Sequence, residues 1–461
     1  MKHKWKNKRV LIMGLGLYGG GLAATKYFLK HGAKIVVTDL RDAVVLRPSL
    51  AKLKNARVSY TLGRHEHQDF MNADIVIQNP GVPNNSPLLK TAQKAGARIE
   101  NEAGIFFSQV KVPIIGITGT KGKSTTTTLV WQILKQVKPK TLVAGNIRTT
   151  AMLEIIDRLP VRNPVVLELS SWQLEGLVRH RISPHAALIT NVLPDHLNRY
   201  RSFAHYRDTK GIILEYQKPN DIGVLNYDND STRLLGKRVR SKLFWFSKQP
   251  FTKSTIKGAF ADGDQIYFGT IKKNVVVMPV SEIQLLGGHN LENVLGAITL
   301  TAALGVSLPT IRRVVRKFKG IPDRLELIRT VGGVQYINDT TATAPIATLA
   351  AIKALAPQGP LFLIAGGQNK DLDYQTLCQE IDRSVKAVIL LPGNASDIIR
   401  HNIAKRLVYP AADMEQAVKI AAGLARSGET VVLSPAAASF NLFKNEFDRA
   451  EQFVKAVRRL S

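Results

Sequence analysis

GITGTKGKSTT, residues 116–126, is the stretch that decides the fold. It stands between an apolar, β-branched run at 112–117 and a helical stretch at 125–137. A glycine-rich turn from a buried strand into a helix presents backbone N–H groups to phosphate oxygens, and the helix dipole favours an anion there. The spacing departs from the common phosphate loop, which has four residues between its first glycine and its Gly-Lys pair. Five residues intervene from Gly116 and two from Gly119. The residues expected around a nucleotide's phosphates are Gly119, Thr120, Lys121, Gly122, Lys123, Ser124 and Thr125. Lys123 has the reach for the β/γ-phosphates, and the Ser124 hydroxyl suits Mg²⁺.

Upstream, Gly14-x-Gly16-x-x-Gly19 follows a strand at 10–13 and opens a helix. These glycines permit a tight turn and the close approach of a diphosphate to a helix N-terminus. Asp39 ends the next strand, where an acid can accept a hydrogen bond from a ligand hydroxyl. The motif fits NAD, another diphosphate ligand, or a bare strand–helix turn. Two diphosphate cradles in one chain argue against a simple dehydrogenase. They favour a reaction that joins two phosphate-bearing ligands.

Downstream, Glu168 ends an apolar strand in PVVLELSSWQ, 164–173, where an acid can hold a nucleotide's Mg²⁺. Asp195 and His196 follow another buried strand in LITNVLPDHLNRY, 188–200, on the rim where ligands gather in open α/β sheets. Lys210, in YRDTK, reads from its residues as an ordinary helix-surface lysine. Asn290 and Asn293 share one face at a helix start in GGHNLENVLGA, 287–297. Their amides suit a base or ribose, or helix capping. Asp339, Lys370 and Ser439 each follow an expected strand, so they gather on one sheet edge.

Short strands are expected at 10–13, 34–38, 74–78, 112–117, 165–167, 187–191, 334–338, 361–365, 387–391 and 431–434, with helical stretches between them. Such alternation means parallel sheets covered by helices: an α/β protein. Boundaries near 109–113 and 319–322 divide it into domains 1–110, 111–319 and 320–461. The first and last read as Rossmann-like and the central one as P-loop-type, with a small antiparallel excursion at about 242–280. The chain has 461 residues, 45% of them hydrophobic, enough for a core in each domain. Its one cysteine, Cys378, excludes an intramolecular disulfide and a cysteine-based metal cluster, and fits a reducing, cytoplasmic setting. Glycines interrupt the apolar N-terminal run, so a secretory leader fits poorly, and no run is long enough to span a membrane. Lys plus Arg is 64 against 35 for Asp plus Glu, a net charge of +29. That charge suits nucleic acid or anionic small molecules; it is spread along the chain without a basic tail, which disfavours nucleic acid.

GITGTKGKST, ELSSWQLE, NVLPDHLNRY, YRDTK, GGHNLEN, PDRLE, NDTTAT and GGQNK occur in the order and spacing of the Mur ligases. The chain resembles that family over essentially its whole length. The GGQNK block and LSPAAASF resemble most the members that add D-glutamate to UDP-N-acetylmuramoyl-L-alanine. The resemblance implies an ATP-dependent amide ligase of peptidoglycan synthesis, cytoplasmic and monomeric, with an acyl-phosphate intermediate. It implies that the first cradle holds a UDP-sugar, with Gly16, Leu17, Tyr18, Asp39 and Arg41 at the uridine end. Gly81 and Asn146 would flank the sugar-diphosphate path, and Ser170 and Gln173 the acyl-acceptor region. Lys123, Glu168, His196 and Lys210 would be catalytic. Two Mg²⁺ ions would be held by Ser124, Glu168, His196 and Lys210, the last carrying a CO₂-derived carbamate. Asn290, Asn293, Arg324 and Asp339 would contact ATP. Thr343, Lys370, Ser439 and Phe447 would form the D-glutamate pocket. Alternatives are a superfamily ligase adding another amino acid, or a basic nucleic-acid-binding ATPase. The chain departs from the family pattern at Lys121 (usually Asn), Arg148 (Gly), Thr341 (often Lys) and Ala450 (Gly).

Overall fold

A computed structural model describes residues 4–17, 19–54, 56–147, 150–195, 199–285, 287–369, 372–404, 407–439 and 442–460. All ten expected strands form, with ends shifted by one or two residues in most cases. The chain divides into two compact units, one comprising Met1–Glu282 with Glu292–Arg316, the other Ile283–Leu291 with Lys317–Ser461.

The first unit contains two sheets. One has five parallel strands in the order Val58–Leu62, Lys34–Asp39, Arg9–Met13, Ile75–Gln78 and Arg98–Glu100. Strand order reverses at Arg9–Met13, so a crevice opens at its carboxyl end, where Gly14 begins its turn. Helix Gly20–Lys30 packs back on this sheet through Gly21. A Cβ there would lie 2.3 Å from the Gly14 carbonyl oxygen, so the close helix–strand approach depends on this glycine rather than on Gly19.

The other sheet has nine strands. From one edge they run Asn274–Pro279, Gln265–Gly269, Gly258–Asp262, Lys242–Ser247, Ile222–Asn226, Ala186–Ile189, Ile114–Thr118, Val165–Glu168 and Leu142–Gly145. The excursion expected after residue 242 is antiparallel only in its last three strands. Lys242–Ser247 joins in parallel to both neighbours, so the excursion extends the main sheet. The two sheets share an apolar core reaching from Trp5 to Leu235. Each Val, Leu or Ile fully buried there contributes about 1.5–3 kcal/mol. Helix Glu102–Gln109 approaches helix Ser171–His180 closely through Gly104 and Gly176, since a Cβ on Gly176 would lie 1.9 Å from Asn101 Oδ1. The Asn101 amide donates to the Trp172 carbonyl at 2.9 Å, which locks this seam beside the strand that ends in Glu168.

The second unit holds six strands in the order Glu326–Val331, Val334–Asn338, Thr430–Leu433, Leu361–Gly366, Val385–Leu391 and Leu407–Pro410. The first pair is a hairpin and the rest are parallel. Apolar clusters lie on both faces, as a doubly covered sheet requires.

Candidate active site

Strand Ile114–Thr118 is buried throughout and pairs with Val165–Glu168 on one side and Ala186–Ile189 on the other. Parallel pairing puts all three carboxyl ends on one rim. The phosphate loop, Glu168 and the segment after Ile189 therefore meet there, although they are far apart in sequence. The helix begins at Lys123, two residues before the expected start, so Lys123 and Ser124 occupy its first turn, where N–H groups lack helical partners.

The loop is held before any ligand arrives. The Thr120 N–H donates to the Asn191 carbonyl at 2.9 Å. The Lys121 N–H donates to Asn191 Oδ1 at 2.9 Å, and the Thr190 hydroxyl donates to the Lys121 carbonyl at 2.6 Å. Gly119 and Gly122 have φ of 149° and 83°. A Cβ on Gly119 would lie 1.8 Å from Thr190 Oγ1, and one on Gly122 would lie 2.0 Å from Asn293 Oδ1. The miscount in the motif therefore reflects a loop fitted between Thr190 and Asn293. Gly122→Ala combines a left-handed backbone with a clash and should destabilise the chain by about 2–4 kcal/mol in urea unfolding. Wild-type stability in that variant would contradict this geometry. Thr190 and Asn191 were not singled out from the sequence; the available signal was a polar pair directly after a buried strand. The Lys123 amine bonds the Thr120 carbonyl at 3.0 Å, close to the phosphate cradle it is expected to serve. Lys121 Nζ stands 3.7 Å from Asp195 Oδ2, so this unusual loop cation has an acidic counterpart.

Lys210 differs from its reading as a surface residue. It is 2% exposed, on helix Phe203–Glu215. Tyr206, Lys210, Ile213 and Leu214 share the buried face, and that i, i+4 spacing was the sequence signal. The Lys210 amine donates to the Gly119 carbonyl at 2.8 Å and lies 4.7 Å from the centre of the Tyr206 ring. Burial, reinforced by the nearby Lys123 charge and opposed by Asp195, lowers its pKa to about 6. At neutral pH the amine is mostly unprotonated, unlike a surface lysine.

Glu168 is 1% exposed. Its Oε1 accepts from the Asn146 side chain at 2.9 Å, and its main-chain carbonyl accepts from the Asn146 N–H at 2.8 Å. Its Oε2 is buried without a hydrogen-bond partner among the described residues. A buried carboxylate oxygen left unsatisfied is costly, and a divalent cation removes that cost. Magnesium at nucleotide sites needs only one or two carboxylates, with phosphates and water completing the shell. Glu168 and the Ser124 hydroxyl fit that demand.

At the first cradle, Asp39 is 4% exposed and fully engaged. Its carboxylate accepts from the Gly16 N–H at 3.2 Å, and from the Arg41 N–H, Nε and Nη2 at 3.0 Å each. Burial alone would raise its pKa, but the Arg41 and Gly16 hydrogen bonds outweigh this and hold it below the usual value. Asp39 thus orients Arg41, whose side chain remains 42% exposed and able to meet a ligand. Leu17 is exposed beside this turn, and the Gly81 N–H donates to Asn79 Oδ1 at 3.2 Å. Ser170 and Gln173 form a reciprocal capping box on helix Ser171–His180, so both are also structural.

In the second unit, Asp339 is buried at the end of strand Val334–Asn338. Burial raises its pKa to about 7, although the Ser434 hydroxyl, the Leu325 N–H and the Arg324 charge act to lower it. Arg324 is exposed. Ser439 is 3% exposed, while Thr343 and Phe447 are half-buried. Phe447 lies in the first turn of helix Glu446–Arg458, capped by Asn445. Asn290 and Asn293 are buried in helix Gly288–Ala303, and Asn290 belongs to the segment Ile283–Leu291 of the second unit. Tyr18, Arg148, His196 and Lys370 lie outside the described residues.

Comparison with known proteins matches three family models along the chain. Residues 8–101 match the Mur ligase MurD-like N-terminal domain, 117–301 the Mur ligase middle domain, and 323–437 the Mur ligase glutamate ligase domain. The UDP-N-acetylmuramoylalanine--D-glutamate ligase of Roseiflexus sp. (strain RS-1) is 41% identical, with 98% of each chain covered. The enzyme of that name from Alkaliphilus metalliredigens is 36% identical, with 99% of each covered. Among solved structures, UDP-N-acetylmuramate-alanine ligase MurC from Thermotoga maritima aligns with a TM-score of 0.61 at 18% identity, covering 98% of this chain and 99% of that one. MurF ligase from the same organism, in complex with ADP, aligns at 0.57 and 17% identity, covering 100% and 97%. At such identities the structural likeness shows the fold alone.

Proposed function

This chain belongs to the Mur ligase family, and from that membership we propose that it joins D-glutamate to UDP-N-acetylmuramoyl-L-alanine at the expense of ATP. The observation that carries the chemistry is a pinned phosphate loop beside a buried amine, unprotonated at neutral pH, and a buried carboxylate oxygen that has no hydrogen-bond partner among the described residues. The relatives' names carry the substrates. In this reading residues 1–110 bind the UDP-sugar, 111–319 bind ATP, and 320–461 bind the amino acid through Thr343, Lys370, Ser439 and Phe447. In this reading the enzyme works in the cytoplasm.

The L-alanyl carboxylate attacks the γ-phosphorus of ATP, the β–γ bond breaks, and ADP leaves. The amine of D-glutamate then attacks the acyl phosphate. The tetrahedral intermediate loses a proton and expels phosphate, leaving an amide. Lys123 neutralises charge on the phosphoryl oxygens, and the first-turn N–H groups orient them. Ser124, Glu168, His196 and Lys210 would hold Mg²⁺, which when bound offsets charge on the transferring group. Lys210 is suited to carbamylation because an unprotonated amine adds CO₂ and releases a proton. The product is an anionic oxygen ligand. Arg41 and the Gly14–Gly19 turn bind the uridine diphosphate end.

ADP release from purified chain, ATP, Mg²⁺ and UDP-N-acetylmuramoyl-L-alanine tests the assignment. D-glutamate should stimulate it by at least about tenfold over other amino acids. No stimulation by D-glutamate would overturn the substrate assignment, and stimulation by oligonucleotides instead would overturn the ligase reading.

A further inference from the structure

Arg449, on helix Glu446–Arg458, is 0% exposed. A buried guanidinium is costly unless its donors and its charge are answered. Each of its three nitrogens donates to one of two loops. Nε donates to Thr340 Oγ1 at 3.0 Å, Nη2 to the Thr340 carbonyl at 2.9 Å, and Nη1 to the Ala437 carbonyl at 3.1 Å. Thr340 Oγ1 in turn donates to the Glu446 carbonyl at 2.9 Å, closing the ring on the same helix. The two loops are tied again where the Ala436 N–H meets the Ala342 carbonyl at 2.9 Å, with Ala436 at φ 60°. The charge is not answered in this way. Among the described residues no carboxylate forms an ion pair with Arg449; burial lowers its pKa to about 10, and the Glu446 charge, acting at longer range, opposes this. It therefore stays cationic at neutral pH.

Both loops carry residues assigned above to the amino-acid site. Thr343 lies three residues beyond Thr340, and Ser439 two beyond Ala437. A rigid planar fork that donates from all three nitrogens sets the separation of the loops, which a lysine's single nitrogen could not reproduce. A cation in a low-dielectric interior is weakly screened and acts on charges beyond hydrogen-bond range.

We propose that Arg449 is a positioning residue for the incoming amino acid: it clamps the Thr340 and Ala437 loops, and its buried charge favours a dicarboxylic amino acid over its amide. This rests on the reading that the second unit binds D-glutamate.

The test compares D-glutamate with D-glutamine in the full-length wild type, Arg449→Met and Arg449→Lys. The wild type should prefer D-glutamate. Arg449→Met should raise KM for D-glutamate by about tenfold or more, reduce the preference about tenfold, and leave KM for ATP and UDP-sugar within about twofold. Arg449→Lys keeps the charge and loses the fork, so it should raise both amino-acid KM values and retain the preference. A merely structural residue would not split the substrates in this way. Unchanged D-glutamate KM and preference in a folded Arg449→Met would overturn the proposal. If that variant does not fold, loss of preference in Arg449→Lys with normal ATP binding would overturn it instead. A wild type that used only neutral amino acids would overturn the D-glutamate reading and this proposal together. A wild type preferring D-glutamate, with indifferent variants, would overturn only the role of Arg449.

Discussion

Lys210→Ala should lower D-glutamate-dependent ADP release by on the order of 100- to 1,000-fold, and added bicarbonate should not restore it. The size follows from what the residue is placed to become. Its amine is buried, lies 2.8 Å from the Gly119 carbonyl, and has a pKa of about 6. Carbamylation needs the free base, which an exposed lysine rarely offers at neutral pH. The sign of the pH dependence follows: the free base dominates above about pH 6 and is lost as pH falls through that value. Labelled bicarbonate with carbon NMR should therefore show a carbamate in the wild type at pH 8, a weaker one at pH 5.5, and none in Lys210→Ala. Stability shows the same proton. Between the folded value and that of an ordinary lysine, the unfolded chain binds more protons, so this group makes the chain more stable as pH rises from about 6. Full activity in Lys210→Ala, or a carbamate signal that survives the mutation, would remove Lys210 from the mechanism.

Glu168→Gln should cost a comparable factor in activity, on the order of 100-fold or more, while leaving the melting temperature equal to or above that of the wild type. The glutamine is nearly isosteric and keeps an oxygen for the Asn146 amide, which now meets Oε1 at 2.9 Å. What disappears is a buried negative charge with one unsatisfied oxygen. Removing such a charge relieves the folded state and weakens the hold on a cation. A Mg²⁺ titration of activity should shift to higher concentration. Loss of stability together with unchanged Mg²⁺ dependence would mean that Glu168 is structural. The opposite signs of the two effects separate a functional carboxylate from a packing residue.

Much of this molecule was legible in the chain itself. The alternation of β-branched runs and amphipathic stretches sets ten strands, because burial on both faces of a parallel sheet demands continuous apolar residues. The phosphate loop was legible because only glycine tolerates its backbone, and the order of motifs places the chain among the Mur ligases. Sequence periodicity identifies the faces of a helix but not which face a distant segment will cover. Lys210 looked like a surface residue until Tyr206 and the phosphate loop closed over it. Asp39 looked like a free acceptor until Arg41 and Gly16 took up its oxygens. Ser170 and Gln173 looked like ligand contacts and also cap a helix. Arg449 gave no signal, since a cation in an amphipathic helix ordinarily faces water. The sequence by itself determined the strand pattern, the two glycine-rich strand-to-helix turns and the family. The tertiary structure decided which side chains lose water, and with it which groups are charged, neutral or without a partner, because desolvation depends on neighbours brought from elsewhere in the chain.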